Sequence, residues 1–311
     1  MLSLSEGIKQ KAKEIGFHKV GIVEAASLTD EGSRLNDWLD KGLHGKMAWL
    51  AREPDKRSDP RLLFPEARSV IVVLINYYTD HQHEESIEKG KLSRYAWGDD
   101  YHDVIGEKLQ DLLAWIRSKV PEAEGKICVD TAPIMDKAWA VRAGLGWLGK
   151  HSNLITTELG SWVFIGEILL NLELDYDTQI VDDHCGTCTA CLDACPTDAI
   201  VEPYVVDSRK CISYATIELR DETLPSSITE NQNGWLYGCD ICQDVCPWNR
   251  FEEPTNELRF EPRKNETSIS LDEVLSLTPE NYAERFRRTA IKRAKLSGLK
   301  RNATALRQID R

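Results

Sequence analysis

The sequence has no apolar run long enough to cross a membrane; the longest, Val70 to Ile75, falls far short of a span. Its first residues, MLSLSEGIKQKAKEIGF, contain no extended apolar core and no small-residue cleavage site, so they do not read as a secretory signal. A cytoplasmic location is expected, where thiols stay reduced and a disulfide framework is the weak reading. Positive charge is also short: 39 Lys and Arg face 51 Asp and Glu, a net charge of −12. If evenly spread, that balance argues against a generic nucleic-acid or anionic-membrane binder. There is no P-loop, no zinc-protease motif, no low-complexity tract and no long internal repeat. At 41% apolar and 29% charged residues over 311 positions, the chain should bury a real core and divide into about two domains.

Nine cysteines are present, and eight of them lie between Cys185 and Cys246. Cys185-x2-Cys188-x2-Cys191-x3-Cys195-Pro196 matches the bacterial two-cluster ferredoxin run, in which three closely spaced thiolates wrap one iron–sulfur cube and the fourth binds the other. Cys239-x2-Cys242-x3-Cys246-Pro247 repeats the end of the pattern, with its first ligand, Cys211, displaced by 27 intervening residues. The ferredoxin resemblance implies crossed wiring: Cys185, Cys188, Cys191 and Cys246 around one [4Fe–4S] cluster, Cys195, Cys211, Cys239 and Cys242 around the second. Two structural zinc sites are the alternative, although these usually show two CxxC pairs across a spacer. Cys128 reads as a buried strand residue.

Residues 1–180 alternate helical and strand patterns, which gives an α/β or α+β fold class. Ser69 to Tyr78 reads as a buried central strand. Asp103 to Val120 reads as an amphipathic helix. Asn153–Thr157 and Ser161–Leu170 read as a hairpin around Glu158-Leu-Gly160. Gly144-Leu-Gly146-Trp-Leu-Gly149 matches GxGxxG but follows a helical segment, so it reads as a helix end and tight loop and not as a dinucleotide site. Asp130, at the end of a short strand, is the acid/base candidate, because strand ends in α/β domains face the ligand crevice; a turn former or helix cap is the plainer reading. Asp100-Tyr101-His102, after Arg94-Tyr95-Ala96-Trp97-Gly98, and Lys150-His151-Ser152 are further polar candidates. From about residue 181 to 251 the chain is rich in Cys, Pro and turns, and metal ligation would supply the stability that apolar burial cannot. A polar linker, Glu252–Glu266, leads into a helical segment. From Glu284 to Arg311 ten basic residues meet two acidic ones, a net +8 that leaves −20 on the rest. Leu296, Leu299, Ala303 and Leu306 give this segment an apolar stripe. It reads either as a cationic helix packed on an acidic body or as a phosphate-contacting surface.

The cysteine run, the segment VDTAPIMDKAWAVRAGLGWLGKHSNLI with Asp130, SWVFIGEILL, SRYAWGDDYH and CISYATIE from Cys211 together resemble the epoxyqueuosine reductase family over nearly the whole chain. That family is related to the reductive dehalogenases. The resemblance implies a nitroreductase-like cobalamin-binding and catalytic domain (1–180), a ferredoxin-like domain with two [4Fe–4S] clusters (181–251), then a linker and short basic C-terminal helices (252–311). It implies reduction of epoxyqueuosine to queuosine at the wobble position of tRNA, the last step of queuosine synthesis. In that reaction the clusters pass single electrons to cobalamin, the reduced cobalt acts on the epoxide carbon, and Asp130, as a carboxylic acid with a raised pKa, protonates the oxygen. Arg57, Tyr95, His102, Asp130, Lys150, His151 and Ser213 are the implied corrin or substrate contacts. The base-off motif Asp-x-His-x-x-Gly is absent, as the family's cofactor carries no protein histidine on cobalt. Implied partners are the epoxyqueuosine-bearing tRNA and a low-potential electron donor, with no membrane and no oligomer required. Many members continue into HEAT-like repeats, which this sequence lacks, so a reduced RNA platform is expected, with Arg287, Arg288 and Arg293 as its core. Two other readings remain: a cobalamin and iron–sulfur reductase of a small molecule, which the basic tail argues against, and a pure electron-transfer protein, which the 180-residue first domain argues against.

Overall fold

The computed structural model describes residues 2–84 and 86–309; Asp310 and Arg311, two charges of the basic tail, lie outside the described residues. Its strands are β1 (Lys19–Glu24), β2 (Ser69–Asn76), β3 (Lys89–Leu92), β4 (Gly125–Cys128), β5 (Trp147–Leu148), β6 (Leu154–Ile155), β7 (Val163–Leu170), β8 (Ile200–Glu202), β9 (Val205–Val206), β10 (Trp235–Tyr237) and β11 (Ser268–Ser270). The chain opens on helix Leu4–Ile15, started by a reciprocal capping box between Ser3 and Glu6 and stopped by Gly16 in the left-handed region (φ 105°).

The main sheet has the order β1-β2-β7-β4. Every residue of β2 is buried, which is why SVIVVLIN shows no alternation: both faces of the sheet are covered. Helices Leu4–Ile15 and Tyr101–Lys119 cover one face through Ile8, Ala12, Ile105, Leu109 and Leu112. Helix Asp136–Arg142 covers the other through Trp139 and Ala140. All three pairings are antiparallel, so the mixed α/β fold is not built on a parallel sheet. The crevice rule for parallel sheets therefore does not account for the position of Asp130.

The expected hairpin is not formed. Only a single bridge, Thr156 to Gly160, closes its turn. Beyond it β6 pairs with β5, while β7 makes an eight-residue ladder with β2, because a long apolar strand buries more against the central strand than against a two-residue partner. The GxGxxG segment runs from a helix end into β5. A side chain at Gly144 (φ 67°) would meet the Gln179 carbonyl oxygen at 2.1 Å, and one at Gly146 would meet that of Ile155 at 2.1 Å. These glycines admit the chain's own backbone and cradle no phosphate.

A second sheet, β10-β3-β11, joins one strand from the first third of the sequence to two from the last. The stretch expected as a linker is a strap across the first core. The Thr255 N–H donates to the Tyr78 carbonyl (2.7 Å), Asn76 Nδ2 to the Glu253 carbonyl (2.7 Å), and Phe260 is buried. The final helix, Lys295–Ile309, buries Leu299, Ala303 and Leu306. Many cations of the basic segment are engaged internally: Arg285 with Glu266 and Glu273, Arg288 with Asp103 and Glu107, Arg293 with Glu218, and Arg307 with Asp272. Arg287, Lys292, Lys295 and Lys300 make no ion pair among the described residues. Of the three arginines expected to form an RNA platform, only Arg287 is free of a carboxylate.

Arg301 is a core residue, 9% exposed. Its guanidinium donates to the carbonyls of Ala215 (2.7 Å), Leu219 (2.8 Å) and Asp221 (3.0 Å), and to Asn302 Oδ1. Arg301→Met would strand those acceptors. We expect a loss of about 3 kcal/mol in urea unfolding, with no change in the salt dependence of RNA binding.

Candidate functional site

A cavity of about 560 Å³ opens between the main sheet and the cysteine-rich segment. Four cysteines form one wall: Cys195, Cys211, Cys239 and Cys242. Local structure sets each of them. Cys195 follows the short helix Ala190–Asp193, Cys211 caps helix Ile212–Ile217, and Cys239 and Cys242 bracket the start of helix Ile241–Asp244. Cys211 lies within electrostatic reach of Cys195, Cys239 within reach of Cys211 and Cys242, and Cys242 within reach of Cys195. The remaining thiols gather separately: Cys191 and Cys246 each sense Cys185 and Cys188. The groups approach each other at Cys242 and Cys191. The group of Cys185, Cys188, Cys191 and Cys246, the first in sequence, reaches solvent at Cys188, and the other reaches the cavity.

All eight are free thiols. Among the described residues no three His, Cys, Asp or Glu side chains converge on a single-ion site; a four-iron cube spaces its thiolates more widely than one zinc ion does. Burial pushes the Cys191 thiol up to about 11. Iron would reverse that penalty by replacing the proton. The donor set and its division into two fours therefore fit two clusters.

Asp130 lines the same cavity as the four cysteines. It follows β4 with φ 53°, a left-handed conformation unusual for a residue with a side chain. Its side chain is 58% exposed, to the cavity. Tyr101 Oη donates to Asp130 Oδ2 (2.6 Å), and His102 Nε2 lies 3.3 Å from the same oxygen. Tyr101 and His102 open helix Tyr101–Lys119, capped by Asp100, whose Oδ1 accepts from the His102 N–H (3.1 Å) and lies 2.7 Å from His102 Nδ1. The Tyr101 ring stacks on Phe164 at 4.5 Å.

Burial alone would raise the pKa of Asp130, but Tyr101, the His102 imidazole and Lys137 outweigh it and hold the carboxyl below its ordinary value. The proton resides on His102 instead: burial opposes its charge, yet Asp100 and Asp130 push the imidazole up to about 9. Burial and the charge of Asp130 hold Tyr101 well above its ordinary value, so it remains a donor.

Tyr95, His151 and Ser213 line the same cavity. Tyr95 Oη donates to Tyr237 Oη (3.0 Å), which donates to the Ala290 carbonyl (2.7 Å). His151 Nδ1 accepts from the Asn153 N–H (3.1 Å), and burial lowers its pKa to about 4, so the ring is neutral. Lys150 is not in the cavity wall: it is 9% exposed and its ammonium donates to the Gly186 (2.7 Å) and Cys188 (2.8 Å) carbonyls, bracing the loop of the first cysteine group. Arg57 is also outside the lining; it packs on Trp49, while its charge reaches Asp136 and Asp130.

Sequence reasoning missed Asp136, Lys137 and Glu167. Burial and the nearby Asp130 push Asp136 up to about 7. Lys137 Nζ donates to the Ser152 carbonyl (2.7 Å) and Asn153 Oδ1 (3.0 Å). Glu167 on β7 is fully buried and raised well above its ordinary value by burial and by the charges of Asp136 and Asp130. Asp136 and Lys137 begin a helix, where an acid reads as a partner of the helix dipole, which hid them. The acid within the apolar run of β7 was the available signal for Glu167.

Comparison with known proteins now adds to the geometry. Residues 57–131 match the family "Epoxyqueuosine reductase QueG, DUF1730", and residues 184–249 match the "4Fe-4S double cluster binding domain". The chain is 47% identical over 303 residues to an epoxyqueuosine reductase of Cellulophaga algicola, covering 97% of this chain and 98% of that one. It is 50% identical over 277 residues to one from Synechocystis sp., covering 89% and 95%. A crystal structure of epoxyqueuosine reductase with an epoxyqueuosine-modified tyrosine-tRNA stem loop superposes with a TM-score of 0.92 at 31% identity, covering 98% of this chain and 81% of that one. One from Bacillus subtilis, with a catalytic loop swung out of the active site, gives 0.90 at 30% identity with the same coverage. No helix among the described residues is long and apolar enough to cross a membrane.

Proposed function

The chain belongs to the epoxyqueuosine reductase family, and from that membership we propose that it reduces epoxyqueuosine to queuosine in tRNA. The observation that carries the reading is one cavity lined both by four cysteines and by Asp130, which Tyr101 and His102 contact. Such a space can receive both electrons and protons. In this reading residues 1–180 are the catalytic, nitroreductase-like unit, 181–251 the ferredoxin-like unit and 252–311 the linker and basic segment. Cys185, Cys188, Cys191 and Cys246 hold one [4Fe–4S] cluster and Cys195, Cys211, Cys239 and Cys242 the other. A low-potential donor reaches the first group at Cys188.

Cobalamin is the cofactor this reading requires in the cavity. Apolar wall residues Val163, Ile165, Ile200 and Val206, with Tyr95, His151 and Ser213 as polar contacts, suit a large, flat and mostly apolar ring. Bound there, it supplies low-potential chemistry at the epoxide carbon. The protein's own part is proton supply. Removing the epoxide oxygen takes two electrons and two protons: ring opening leaves an alkoxide, and the oxygen departs as water once it has been protonated twice, with formation of the alkene. Asp130, ionised at rest, carries a proton from His102 or Tyr101 to that oxygen, and the helix N-terminus beneath them favours the anion left behind.

The test is anaerobic turnover of an epoxyqueuosine-containing stem loop by reconstituted protein with added cobalamin; failure to form queuosine would refute the reading. The rate should hold through neutral pH and fall as pH rises through about 9, when His102 loses its proton. The sign follows from a folded pKa above the ordinary 6.5: the His102–carboxylate contribution to stability is complete below 6.5 and disappears through about 9. His102→Gln should remove that limb, because Asp136 titrates near 7 and Tyr101 far above.

A further inference from the structure

We propose that Trp49, between Arg57 and Arg293, is the stacking platform for a nucleotide flanking the target nucleoside in the single-stranded loop of the RNA. The inference rests on the function proposed above and assigns it a specific contact. Trp49 is a large aromatic left 40% exposed, in a loop with no regular structure between helices Thr29–Asp40 and Pro54–Ser58. Two guanidiniums lie over its ring, Arg57 at 5.3 Å and Arg293 at 5.8 Å from the centroid. Both feel the charge of Asp130, which puts the ring on the Asp130 side of the molecule.

The loop is fixed there by contacts to the cavity wall. The Lys46 N–H donates to Tyr214 Oη (2.8 Å), and Gly45 (φ 59°) lies so close that a side chain would meet that oxygen at 2.6 Å. Tyr214 belongs to helix Ile212–Ile217, whose Ile212 and Ser213 line the cavity.

Charge supports the same ligand. Residues 41–57 carry five basic side chains, of which Lys46 pairs with Asp221 and Lys56 with Glu53, leaving Lys41, Arg52 and Arg57 without an ion pair among the described residues, although the body outside the C-terminal segment is strongly acidic. An exposed aromatic set among cations recognises unpaired bases: the ring takes the π-face and the cations take the phosphates. A duplex offers no free base face, so the loop of a stem-loop is the part that fits. A base that stacks on Trp49 displaces one guanidinium from the ring and leaves it beside that nucleotide's phosphate.

The experiment measures stem-loop affinity of cluster-loaded, cobalamin-bound protein, with abasic substitutions made in turn at each loop position next to epoxyqueuosine. Trp49→Ala should weaken binding about ten-fold, and Trp49→Phe should recover most of it. At one loop position the abasic RNA should bind wild type and Trp49→Ala equally. Cobalamin binding, followed by its visible spectrum, and kcat at saturating RNA should not change in Trp49→Ala. Equal wild-type and Trp49→Ala affinities for the intact loop would overturn the proposal, as would a loss confined to cobalamin binding. Wild-type protein that neither binds nor turns over the loop would instead overturn the underlying function.

Discussion

Asp130→Asn is expected to lower kcat about a thousand-fold while iron and cobalamin contents stay at wild-type levels. The substitution is close to isosteric. Its backbone demand is also met: Asp130 sits at φ 53°, a region that asparagine enters as readily as aspartate. The Tyr101 hydroxyl can still donate to the remaining carbonyl oxygen. What is lost is a site that can accept and pass on a proton, together with the negative charge facing His102. The second loss has its own readout. With Asp130 neutral, His102 keeps only Asp100 as a carboxylate partner, so its imidazole should titrate below about 9 by NMR in the variant. A variant with a displaced His102 titration and near-normal kcat would show that the group is intact and Asp130 does not serve the chemistry. A variant with an unchanged titration and lost activity would place the proton supply outside the His102–Asp130 pair.

The protonation state marks where sequence reading stopped. Asp130 was legible as a residue, from its place after a short strand, but not as a carboxylate, because its pKa depends on Tyr101 and His102, distant in sequence. The argument that picked it was also incomplete, since the sheet is antiparallel throughout. Periodicity found the long helix Tyr101–Lys119 and the buried strand Ser69–Asn76, because each pattern is local. It found the Ser161–Leu170 strand but not its partner, which is a long-range choice, and it missed β3, whose residues KGKL carry little apolar signal and are held by strands from far along the chain. The +8 tail shows a third limit. Composition gives charge but not where it goes, and Arg301 turns inward to cap three carbonyls. The acidic body with a basic tail is therefore in good part an internally paired structure. The cations left for RNA are fewer than the sequence count, and Arg57 beside Trp49, which makes no ion pair among the described residues, gains weight.

Cysteine substitutions should separate into two classes, and the pattern of pairs tests the crossed wiring more severely than any single variant. Cys188→Ala should cost one cluster, about four iron atoms per chain, and so should Cys246→Ala, although 57 residues separate them in sequence. Combining the two should cost no more iron than either alone. Cys188→Ala with Cys242→Ala, one from each set, should remove both clusters. If ligation instead followed sequence order, Cys188 and Cys195 would form a non-additive pair, and Cys188 with Cys246 would lose both clusters. The thiol groupings, Cys191 and Cys246 beside Cys185 and Cys188 and Cys242 beside Cys195 and Cys211, favour the crossed outcome. Activity adds a second axis. Loss of the set facing the cavity should abolish turnover with any donor, because its four cysteines line the cavity that also holds Asp130. Loss of the outer set removes the solvent-facing entry at Cys188. Turnover driven by a protein donor should then fall at least a hundred-fold, whereas a small chemical reductant able to enter the cavity should restore part of it. Equal losses under both reductants would mean that the outer cluster does more than admit electrons, with its absence reaching the cavity where Cys191 approaches Cys242.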